Sequence, residues 1–594
     1  MKWFPFSRTT LVGLLFSAVG ITIVGQLLRI NVSSVTRTFS ENANRVYEYR
    51  REIIYPERGY IYDRWGHLLA GNQEVYEIGV DLNSVTNPES IASVLEEVLD
   101  LDYGDILQET KKEYEQGVSE YIVLANFVKP EDIARLEEIR DSYWEIPSSE
   151  IKKGERRPSL NGLTWKPHLQ RTYPENDVGG NIVGFYAFRD MVKGKPYFGV
   201  EEKYDDILSG STIEVLVPNN PNLIEELPTA PPGASLVLTI DREIQSNVES
   251  VIDRAVKQNG AVSGTAIVID PETGEILAMA TTPRLNLNEY WKLTEQFDES
   301  TPFNRAVGAS FEPGSVFKVL TMATALDTGK VTPNTPFLDT GTITIGGISI
   351  FNWDRAAWGP QTMLGCMQHS LNVCLTWVAM QIGNQDFYTY LQNFGIGKKT
   401  NIDLAGEVTW PLSVPGDENW WEANLGTNSF GQGVSVTPIQ FITAISAIAN
   451  DGIMMSPHVL KSVIDEERQY DYSPQIIGNP ISKETARTLT DMLAVSLEEE
   501  ASNALVPNYR VAGKTGTAEI AGPYGYTSNQ TNASFVGWGP VADPKFVVFV
   551  WLEKPSSSPW GSIVASPVFS EIVQNLVTYM DIPPDGTQVG ISER

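Results

Sequence analysis

The chain has 594 residues, which is too long for one ordinary domain and predicts more than one globular module. Its formal net charge of −30 at pH 7 argues against binding to nucleic acid and against a polybasic membrane patch. Two cysteines, Cys366 and Cys374, are too few for a disulfide framework, so we expect two small buried apolar side chains rather than a bridge. The four histidines are scattered, and we expect no metal and no cofactor.

The N-terminus carries an uncharged run over residues 11–28, which follows Lys2 and Arg8. A run of 18 residues is enough to span a bilayer. A cleaved signal peptide has a shorter apolar core and a small-residue cleavage site, and no A-x-A motif follows here. We therefore expect a cytoplasmic tail over residues 1–8 and an uncleaved transmembrane anchor over residues 9–29, with a cleaved signal peptide as the alternative.

A first module of mixed α/β type is predicted over residues 30–232. The pattern indicates strands and a turn over residues 57–70, and helices near Glu89–Leu99 and Pro130–Arg140. Proline-rich stretches between residues 217 and 233 then indicate a hinge.

A second module is predicted over residues 233–585, followed by a short tail over residues 586–594. The turn residues at 271–274 indicate a β-hairpin, and a helix over Ser566–Met580 closes the module. The predicted strands of this module are Ser235–Asp241, Thr265–Ile269, Ile276–Ala280, Ser534–Gly539 and Lys545–Leu552.

Three short motifs follow one another in the second module, and the first is S-x-x-K at Ser315 and Lys318. Apolar residues recur behind it at helical spacing, and Asp327 to Gly329 would end the helix. Ser315 would then lie in the first helical turn, where free N–H groups and the helix dipole favour a developing negative charge. The alternative is a solvated helix start with a surface lysine, which is the usual meaning of S-x-x-K taken alone.

The residue types fit nucleophilic catalysis. A serine hydroxyl is a good nucleophile only when a base removes its proton. Lysine can be that base only when it is neutral, and desolvation and a second cation both lower its pKa. Lys318 in an apolar helix, with Lys514 close by, would meet both conditions. Whether the lysine acts alone as the base is disputed for serine enzymes that carry an S-x-x-K motif.

The second motif is S-x-N at Ser370 and Asn372, between apolar segments over residues 361–368 and 373–382. A polar break between two helices can direct side chains into a cleft. Ser370 would relay a proton and Asn372 would hold a substrate amide, and helix capping is the alternative role for both.

The third motif is K-T-G-T at residues 514–517, in a predicted edge strand over residues 509–520. Its glycines indicate close approach of another backbone, and a peptide could add there by strand pairing. Lys514 would attract a carboxylate, and the Thr517 N–H with that of Ser315 would form an oxyanion hole. An ordinary amphipathic strand, the alternative, predicts neither the glycines nor the lysine. The predicted substrate-binding residues are Thr515, Gly516 and Thr517.

Two further matches have a different context. S-x-x-K also occurs at Ser149 and Lys152, and S-x-N occurs at Ser159 and Asn161. Both lie among charged residues with no apolar helix behind them, so we assign neither to the site.

The three motifs together resemble the active site of penicillin-binding proteins. Along nearly its whole length the chain resembles the class B members of that family. The resemblance implies a mixed α/β penicillin-recognising serine transpeptidase fold, with a five-stranded antiparallel sheet flanked by helices plus a helical subdomain. It also implies a preceding α+β noncatalytic pedestal of the dimerisation type and a single transmembrane helix. The residues that resemble the family's pedestal signature are Arg58-Gly59 with Asp63-Arg64 and Gly66, Arg171–Pro174, and Gly199–Glu201 with Tyr204.

The resemblance implies peptidoglycan D,D-transpeptidation outside the cytoplasmic membrane. Ser315 would attack the D-Ala-D-Ala end of a stem peptide on lipid-linked or nascent glycan strands, release D-Ala and pass the acyl group to an amine. β-Lactams would acylate the same serine. The implied partner is a multi-span SEDS-type glycosyltransferase within a division or elongation complex.

The sequence allows more than one cellular role and more than one activity for such a protein. Residues 430–438 and 532–537 are more similar to division enzymes, since elongation enzymes usually carry His-Ala-Trp-Phe where Asn532–Phe535 stand. A serine hydrolase, either a D,D-carboxypeptidase or a β-lactamase, could use the same motifs. A penicillin-binding scaffold could retain the fold without the activity.

Overall fold

The computed structural model describes residues 8–32, 49–115, 121–147, 149, 151, 156–188, 194–218, 228–466, 468–500, 502–522 and 525–585. The chain divides into two compact units. The first unit comprises residues 1–57 and 209–233, and the second comprises residues 58–208 and 234–594.

The first unit contains one helix and one strand pair among its described residues. The helix is α1 (Arg8–Val32), and strand β1 (Tyr49–Ile54) pairs antiparallel with β8 (Ile213–Pro218). No helix in the described ranges of the chain combines the length and the apolar character needed to cross a membrane. Much of the predicted hinge, residues 219–227, lies outside the described residues.

The second unit begins with residues 58–208. Their helices are α2 (Pro88–Leu99), α3 (Tyr103–Thr110), α4 (Pro130–Glu145), α5 (Gly180–Val183), α6 (Gly199–Lys203) and α7 (Asp205–Leu208). Their strands are β2 (Ile61–Tyr62), β3 (Leu68–Asp81), β4 (Tyr121–Val128), β5 (Leu163–Thr172), β6 (Phe185–Phe188) and β7 (Gly194–Tyr197). The two helices that the sequence predicts in this region are α2 and α4.

Residues 234–594 form the larger part of the second unit. Their helices are α8 (Arg242–Asn259), α9 (Leu293–Gln296), α10 (Arg305–Gly308), α11 (Lys318–Asp327), α12 (Met363–Gln368), α13 (Asn372–Ile382), α14 (Asn384–Asn393), α15 (Glu422–Asn428), α16 (Pro438–Ala449), α17 (Lys483–Glu499), α18 (Gly561–Val564) and α19 (Ser566–Tyr579). Two 3₁₀ turns cover Leu287–Lys292 and Gly314–Phe317. Their strands are β9 (Ser235–Leu238), β10 (Ser263–Ile269), β11 (Ile276–Thr281), β12 (Pro336–Asp339), β13 (Thr342–Ile345), β14 (Ile348–Phe351), β15 (Gly359–Thr362), β16 (Met454–Met455), β17 (Leu460–Asp465), β18 (Arg468–Asp471), β19 (Ile476–Gly478), β20 (Ala512–Gly522), β21 (Gly525–Gly539) and β22 (Phe546–Glu553).

A seven-stranded sheet crosses both parts of the second unit. Its strands run in the order β18-β17-β9-β2-β3-β4, and β5 also pairs with β3. The pairing of β2 with β9 is parallel. Residues 58–208 and residues after 234 are therefore joined by backbone hydrogen bonds.

The predicted five-stranded antiparallel sheet is present, in the order β11-β10-β22-β21-β20. Side chains alternate between its faces along β22. Val548, Val550 and Leu552 pack in a core with α8 and α19. Phe549 and Trp551 pack in a core with α16, where the Phe549 ring lies 5.7 Å from that of Phe441. Helices therefore cover both faces, and β20 remains an edge strand, as the sequence predicts.

Most predicted elements of residues 234–594 agree with the observed ones to within a few residues. Strand β9 ends at Leu238 rather than at the predicted Asp241. Asp241 instead caps α8, because its side chain accepts hydrogen bonds from the N–H groups of Glu243 and Ile244.

The expectation that the two cysteines are unbridged is wrong. Cys366 and Cys374 form a disulfide, with their Cα atoms 6.0 Å apart. Helix α12 ends at Gln368 and α13 begins at Asn372, so the chain turns back within three residues and brings both side chains together. Both cysteines are fully buried, which agrees with the expected burial.

Candidate active site

The Ser315 loop depends on a glycine. Gly314 has φ +59°, and a Cβ there would lie 2.9 Å from the Ala518 Cβ and 3.1 Å from the Thr517 carbonyl oxygen. The Gly314 N–H donates to the Gly431 carbonyl, at 3.0 Å. Ser315 then lies in a 3₁₀ turn that leads directly into α11, so the predicted helix start is present with a tighter first turn. The loop is thereby packed against β20.

Lys318 joins the first two motifs. Its side chain is completely buried, and Nζ lies 2.6 Å from the Ser370 carbonyl oxygen, 2.7 Å from Asn372 Oδ1 and 3.1 Å from Ser370 Oγ. Burial, and secondly the charge of Lys514, hold the pKa of Lys318 well below its usual value. A neutral amine retains two N–H donors for the two carbonyl oxygens and presents its lone pair to the Ser370 hydroxyl.

The S-x-N motif lies in the predicted break between helices α12 and α13. Ser370 has φ +54°, while Leu371 is fully buried and anchors the turn. Asn372 Nδ2 donates to the Phe351 carbonyl at 3.1 Å, which ties the motif to β14. The Asn372 amide therefore positions Lys318 in this structure, and its contact with substrate stays a prediction.

The K-T-G-T motif lies on β20, the edge strand of the five-stranded sheet. Lys514 is 5% exposed, and burial lowers its pKa to about 8 although the charge of Glu500 acts in the opposite direction. A Cβ on Gly516 would lie 2.3 Å from Ser534 Oγ and 3.2 Å from the Pro313 carbonyl oxygen. The glycine thus permits the close backbone approach that the sequence predicts.

One cavity of about 540 Å³ brings the motifs together. The predicted residues that line it are Ser315, Ser370, Asn372, Lys514, Thr515 and Thr517. Lys318 and Gly516 are buried and do not line it. Thr517 Oγ1 accepts a hydrogen bond from the Gly561 N–H at 3.0 Å, so this hydroxyl still has its own hydrogen to donate. The catalytic and binding roles of all eight residues stay predictions.

Sequence reasoning missed many further residues of the cavity wall, and five of these carry an indole, an imidazole or a carboxylate. They are Trp353, Trp358, His369, Glu500 and Trp560. The rings of Trp353 and Trp560 meet edge to face, with centroids 5.5 Å apart. His369 could have been predicted as a site residue because it directly precedes Ser370. Glu500 could not, because no motif lies near it in the sequence.

Of the other S-x-x-K and S-x-N matches, the described residues Ser149, Ser159 and Asn161 do not line this cavity. Ser149 is exposed in a turn, and Lys152 lies outside the described residues. Ser159 Oγ accepts a hydrogen bond from the Asn161 N–H at 3.0 Å, which is a local turn contact.

Part of the pedestal signature, namely Arg58, Arg171 and Glu201, forms a buried ionic cluster. Glu201 is completely buried and accepts from Arg58 Nε and from Arg171 Nε, each at 2.7 Å. Arg58 Nη1 also lies 2.6 Å from Asp205, and the Tyr173 hydroxyl lies 3.4 Å from Glu201. The cluster connects β5, α6 and α7, which explains why a structural module carries arginines and a glutamate in its interior.

Two family models match the chain. Residues 264–574 match the penicillin-binding protein transpeptidase domain, and residues 53–234 match the penicillin-binding protein dimerisation domain. The first match covers more than half of the chain. The chain therefore belongs to the penicillin-binding protein transpeptidase family, and its pair of domains is that of a class B member, as the resemblance predicts.

Relatives and solved structures agree with this assignment. The chain is 30% identical over 551 residues to stage V sporulation protein D of Bacillus subtilis, covering 90% of this chain and 80% of that protein. It is 30% identical over 443 residues to peptidoglycan D,D-transpeptidase FtsI of Escherichia coli, covering 73% and 71%. The crystal structure of penicillin-binding protein 2X from Streptococcus thermophilus superposes with a TM-score of 0.74 at 23% identity, covering 89% of this chain and 80% of that one. Penicillin-binding protein 3 from Mycobacterium tuberculosis in complex with ampicillin superposes with a TM-score of 0.67 at 23% identity, covering 90% and 97%.

Proposed function

We propose that this chain is a penicillin-sensitive peptidoglycan D,D-transpeptidase that acts through an acyl-enzyme on Ser315. The observation that carries the proposal is the contact of Lys318 Nζ with Ser370 and Asn372 behind a cavity that Ser315 and Lys514 both line. This arrangement supplies a nucleophile, a buried amine, a hydroxyl relay and a cation in one place. It is sufficient for acyl transfer without a histidine base.

Each residue then has a defined task. Neutral Lys318 takes the Ser315 proton as the serine attacks the D-Ala-D-Ala carbonyl, and the N–H groups of Ser315 and Thr517 stabilise the oxyanion. Ser370 passes the proton to the departing D-Ala nitrogen. Lys514 with the hydroxyls of Thr515 and Thr517 binds the terminal carboxylate. An amine on a neighbouring stem peptide then attacks the Ser315 ester.

Sequential labelling tests this activity. Purified protein is first incubated with a fluorescent penicillin, and then with a D-Ala-D-Ala peptide together with an amine acceptor. We expect a stable label that Ser315→Ala abolishes and Ser149→Ala retains, D-Ala release, and a cross-linked product. D-Ala release with hydrolysis alone would identify a carboxypeptidase, and rapid loss of the penicillin label would identify a β-lactamase. Labelling without any turnover of peptide would identify a scaffold.

We further propose that the enzyme serves septal wall synthesis. The similarity to a protein named FtsI, together with Phe430–Pro438 and Asn532–Gly537, supports division over elongation. Depletion of the protein should give filamentous cells that lack septa. Rounded cells that still divide would assign the chain to elongation instead.

Residues 9–29 are proposed to anchor the chain, with the catalytic unit outside the cytoplasmic membrane. Support comes from the uncharged run and from the exposed apolar side chains of α1, where Phe16 and Ile21 are each 72% exposed. A topology reporter fused after Arg594 should be active only in its extracytoplasmic form. A cytoplasmic signal would remove the wall-synthesis function.

The partner proposed for this anchor is a SEDS-type glycosyltransferase, because a transpeptidase can cross-link only strands that another enzyme polymerises. Small residues allow close helix packing in lipid, and α1 carries Gly13, Ala18, Gly20 and Gly25. Replacing residues 10–28 by an unrelated span of equal length should abolish activation of the partner while penicillin labelling persists. Unchanged activation of the partner would mean that residues 10–28 serve only as a membrane anchor.

A further inference from the structure

A histidine–glutamate pair lies in the catalytic cavity and has no task in the chemistry above. Glu500 directly follows the last residue of α17, and its Oε1 atom lies 3.0 Å from His369 Nδ1. Both residues line the cavity that contains Ser315 and Lys514. The Glu500 side chain is 47% exposed and that of His369 is 23% exposed, so the carboxylate is open to a ligand in the cavity.

His369 is itself held firmly. Its ring stacks on Trp358 with centroids 4.4 Å apart, and its carbonyl oxygen accepts a hydrogen bond from Trp353 Nε1 at 3.3 Å. Its N–H donates to the Gly365 carbonyl at 2.9 Å, which fixes the backbone one residue before Ser370. The position of the Glu500 carboxylate is therefore set relative to the S-x-N motif.

The cavity thus presents two opposite charges to a bound substrate. Lys514 suits the terminal carboxylate of the acyl donor, whereas Glu500 suits a cation. The donor peptide brings no cation to the reacting end, but the acyl acceptor arrives as an ammonium ion. A carboxylate beside the motif that holds Lys318 is therefore placed to receive the second substrate.

We propose that Glu500, oriented by His369, binds the ammonium group of the acyl acceptor and so selects acceptors that carry a primary amine. The inference rests on the transpeptidase function proposed above. It makes Glu500 an acceptor-binding residue and His369 its positioning residue. The chemical class of the acceptor is a peptide with a free amino group on a flexible side chain.

In the transfer step, the acceptor nitrogen loses two protons, one to Glu500 and one to Ser315. The bound ammonium gives one proton to the Glu500 carboxylate and becomes a free amine. Its nitrogen attacks the acyl carbon, so a nitrogen–carbon bond forms and the bond from that carbon to Ser315 Oγ breaks. The second nitrogen proton passes through Lys318 to Ser315 Oγ, and Glu500 releases its proton to solvent.

The partition of the acyl-enzyme tests this role. The full chain in detergent is acylated with a D-alanyl thioester donor, and transfer is measured against hydrolysis with two nucleophiles, a lysine-containing peptide and hydroxylamine, which is much less basic. Reactions are run well below pH 8, so that Lys514 stays charged in all variants. We expect Glu500→Gln to reduce transfer to the lysine peptide about tenfold, the effect of losing one charged hydrogen bond.

The controls separate binding of the acceptor from general effects. At this pH, Glu500→Gln should slow transfer to the lysine peptide much more than it slows transfer to hydroxylamine or acylation by penicillin. Glu499→Gln, which removes the neighbouring exposed carboxylate, should change nothing. Glu500→Asp should restore part of the transfer, and His369→Asn should raise the KM for the lysine peptide more than it lowers kcat.

Three results would overturn the inference. One is a Glu500→Gln variant that matches wild type with both nucleophiles. Another is equal slowing of penicillin acylation and of both transfers, which would mean that Glu500 acts on the cavity as a whole and not on the acceptor. The third is a wild-type chain that transfers the acyl group to hydroxylamine but not to the lysine peptide. A wild-type chain that transfers to neither nucleophile, or that no penicillin or thioester acylates, would instead refute the proposed function itself.

Discussion

Two buried charged clusters in the same unit differ in how their charges are compensated. Glu201 is completely buried between Arg58 and Arg171, so an anion meets two cations at 2.7 Å each. Lys318 is equally buried, but its hydrogen-bond partners in the described part of the chain are the neutral oxygens of Ser370 and Asn372. Lys514, whose charge also lowers the pKa of Lys318, has the same sign.

This difference is the one expected between a structural cluster and a reactive one. A buried charge that is paired holds elements together, and removal of one partner leaves an uncompensated charge. A buried amine without a counter-charge instead favours its neutral form, which is the form a base requires. Mutation of the Glu201 cluster should therefore lower the stability of the protein, and mutation of Lys318 should lower the acylation rate.

The largest effect is expected for Lys318→Arg. Arginine stays charged, so it cannot take the Ser315 proton, and the acylation rate should fall by about 10³-fold or more. Fluorescent penicillin labelling measures the rate, and circular dichroism checks the fold. Lys330→Arg, at an exposed position, is the matched control. Acylation at a near wild-type rate would exclude Lys318 as the base.

Glu201→Gln should break the other cluster. Two buried arginines would lose their anion, and the free energy of unfolding should fall by about 3–5 kcal/mol. Denaturant unfolding measures the loss, with exposed Asp206→Asn as the control. Folded protein should still label with penicillin at the wild-type rate. Folded Glu201→Gln protein that labels much more slowly than wild type would mean that this cluster also supports acylation.

The Cys366–Cys374 bridge should contribute less. It closes a loop of eight residues, and bridges of this size contribute about 2–3 kcal/mol. Replacing both cysteines by alanine should lower the free energy of unfolding by that amount in denaturant titrations. Reduced wild-type protein should match the double variant. No difference between oxidised and reduced protein would contradict this contribution.

The smallest effect concerns pH. Burial lowers the pKa of Lys514 to about 8, and in the proposed mechanism the penicillin carboxylate binds its charged form. Acylation at subsaturating penicillin should therefore decline as pH rises through about 8. Because the charge of Glu500 raises this pKa, Glu500→Gln should move the decline to lower pH. A profile that does not shift between the two proteins would contradict the electrostatic contact of Glu500 with Lys514.

Local signals were sufficient for much of the fold. Helical spacing behind Ser315 identified α11, and the paired glycines around Lys514 identified an edge strand. The turn at residues 271–274 identified the hairpin of β10 and β11. In each case the information lies within about a dozen neighbouring residues, which is the range over which a periodic pattern acts.

Long-range contacts account for what the sequence did not reveal. His369 and Glu500 are 131 residues apart in sequence, so no local pattern records their contact. The disulfide depends on the turn at Ser370, whose positive φ has no signature in the residue type. The ring contact between Trp353 and Trp560 likewise forms only when two segments far apart in sequence meet at the cavity wall.

The parallel pairing of β2 with β9 has a structural consequence. Ile61 and Tyr62 lie in register with Leu236 and Val237, and the chain continues from β9 through Asp241 into α8 beneath the five-stranded sheet. Main-chain hydrogen bonds therefore join residues 58–208 to the segment that leads into α8, and this connection within the second unit does not depend on any one side chain.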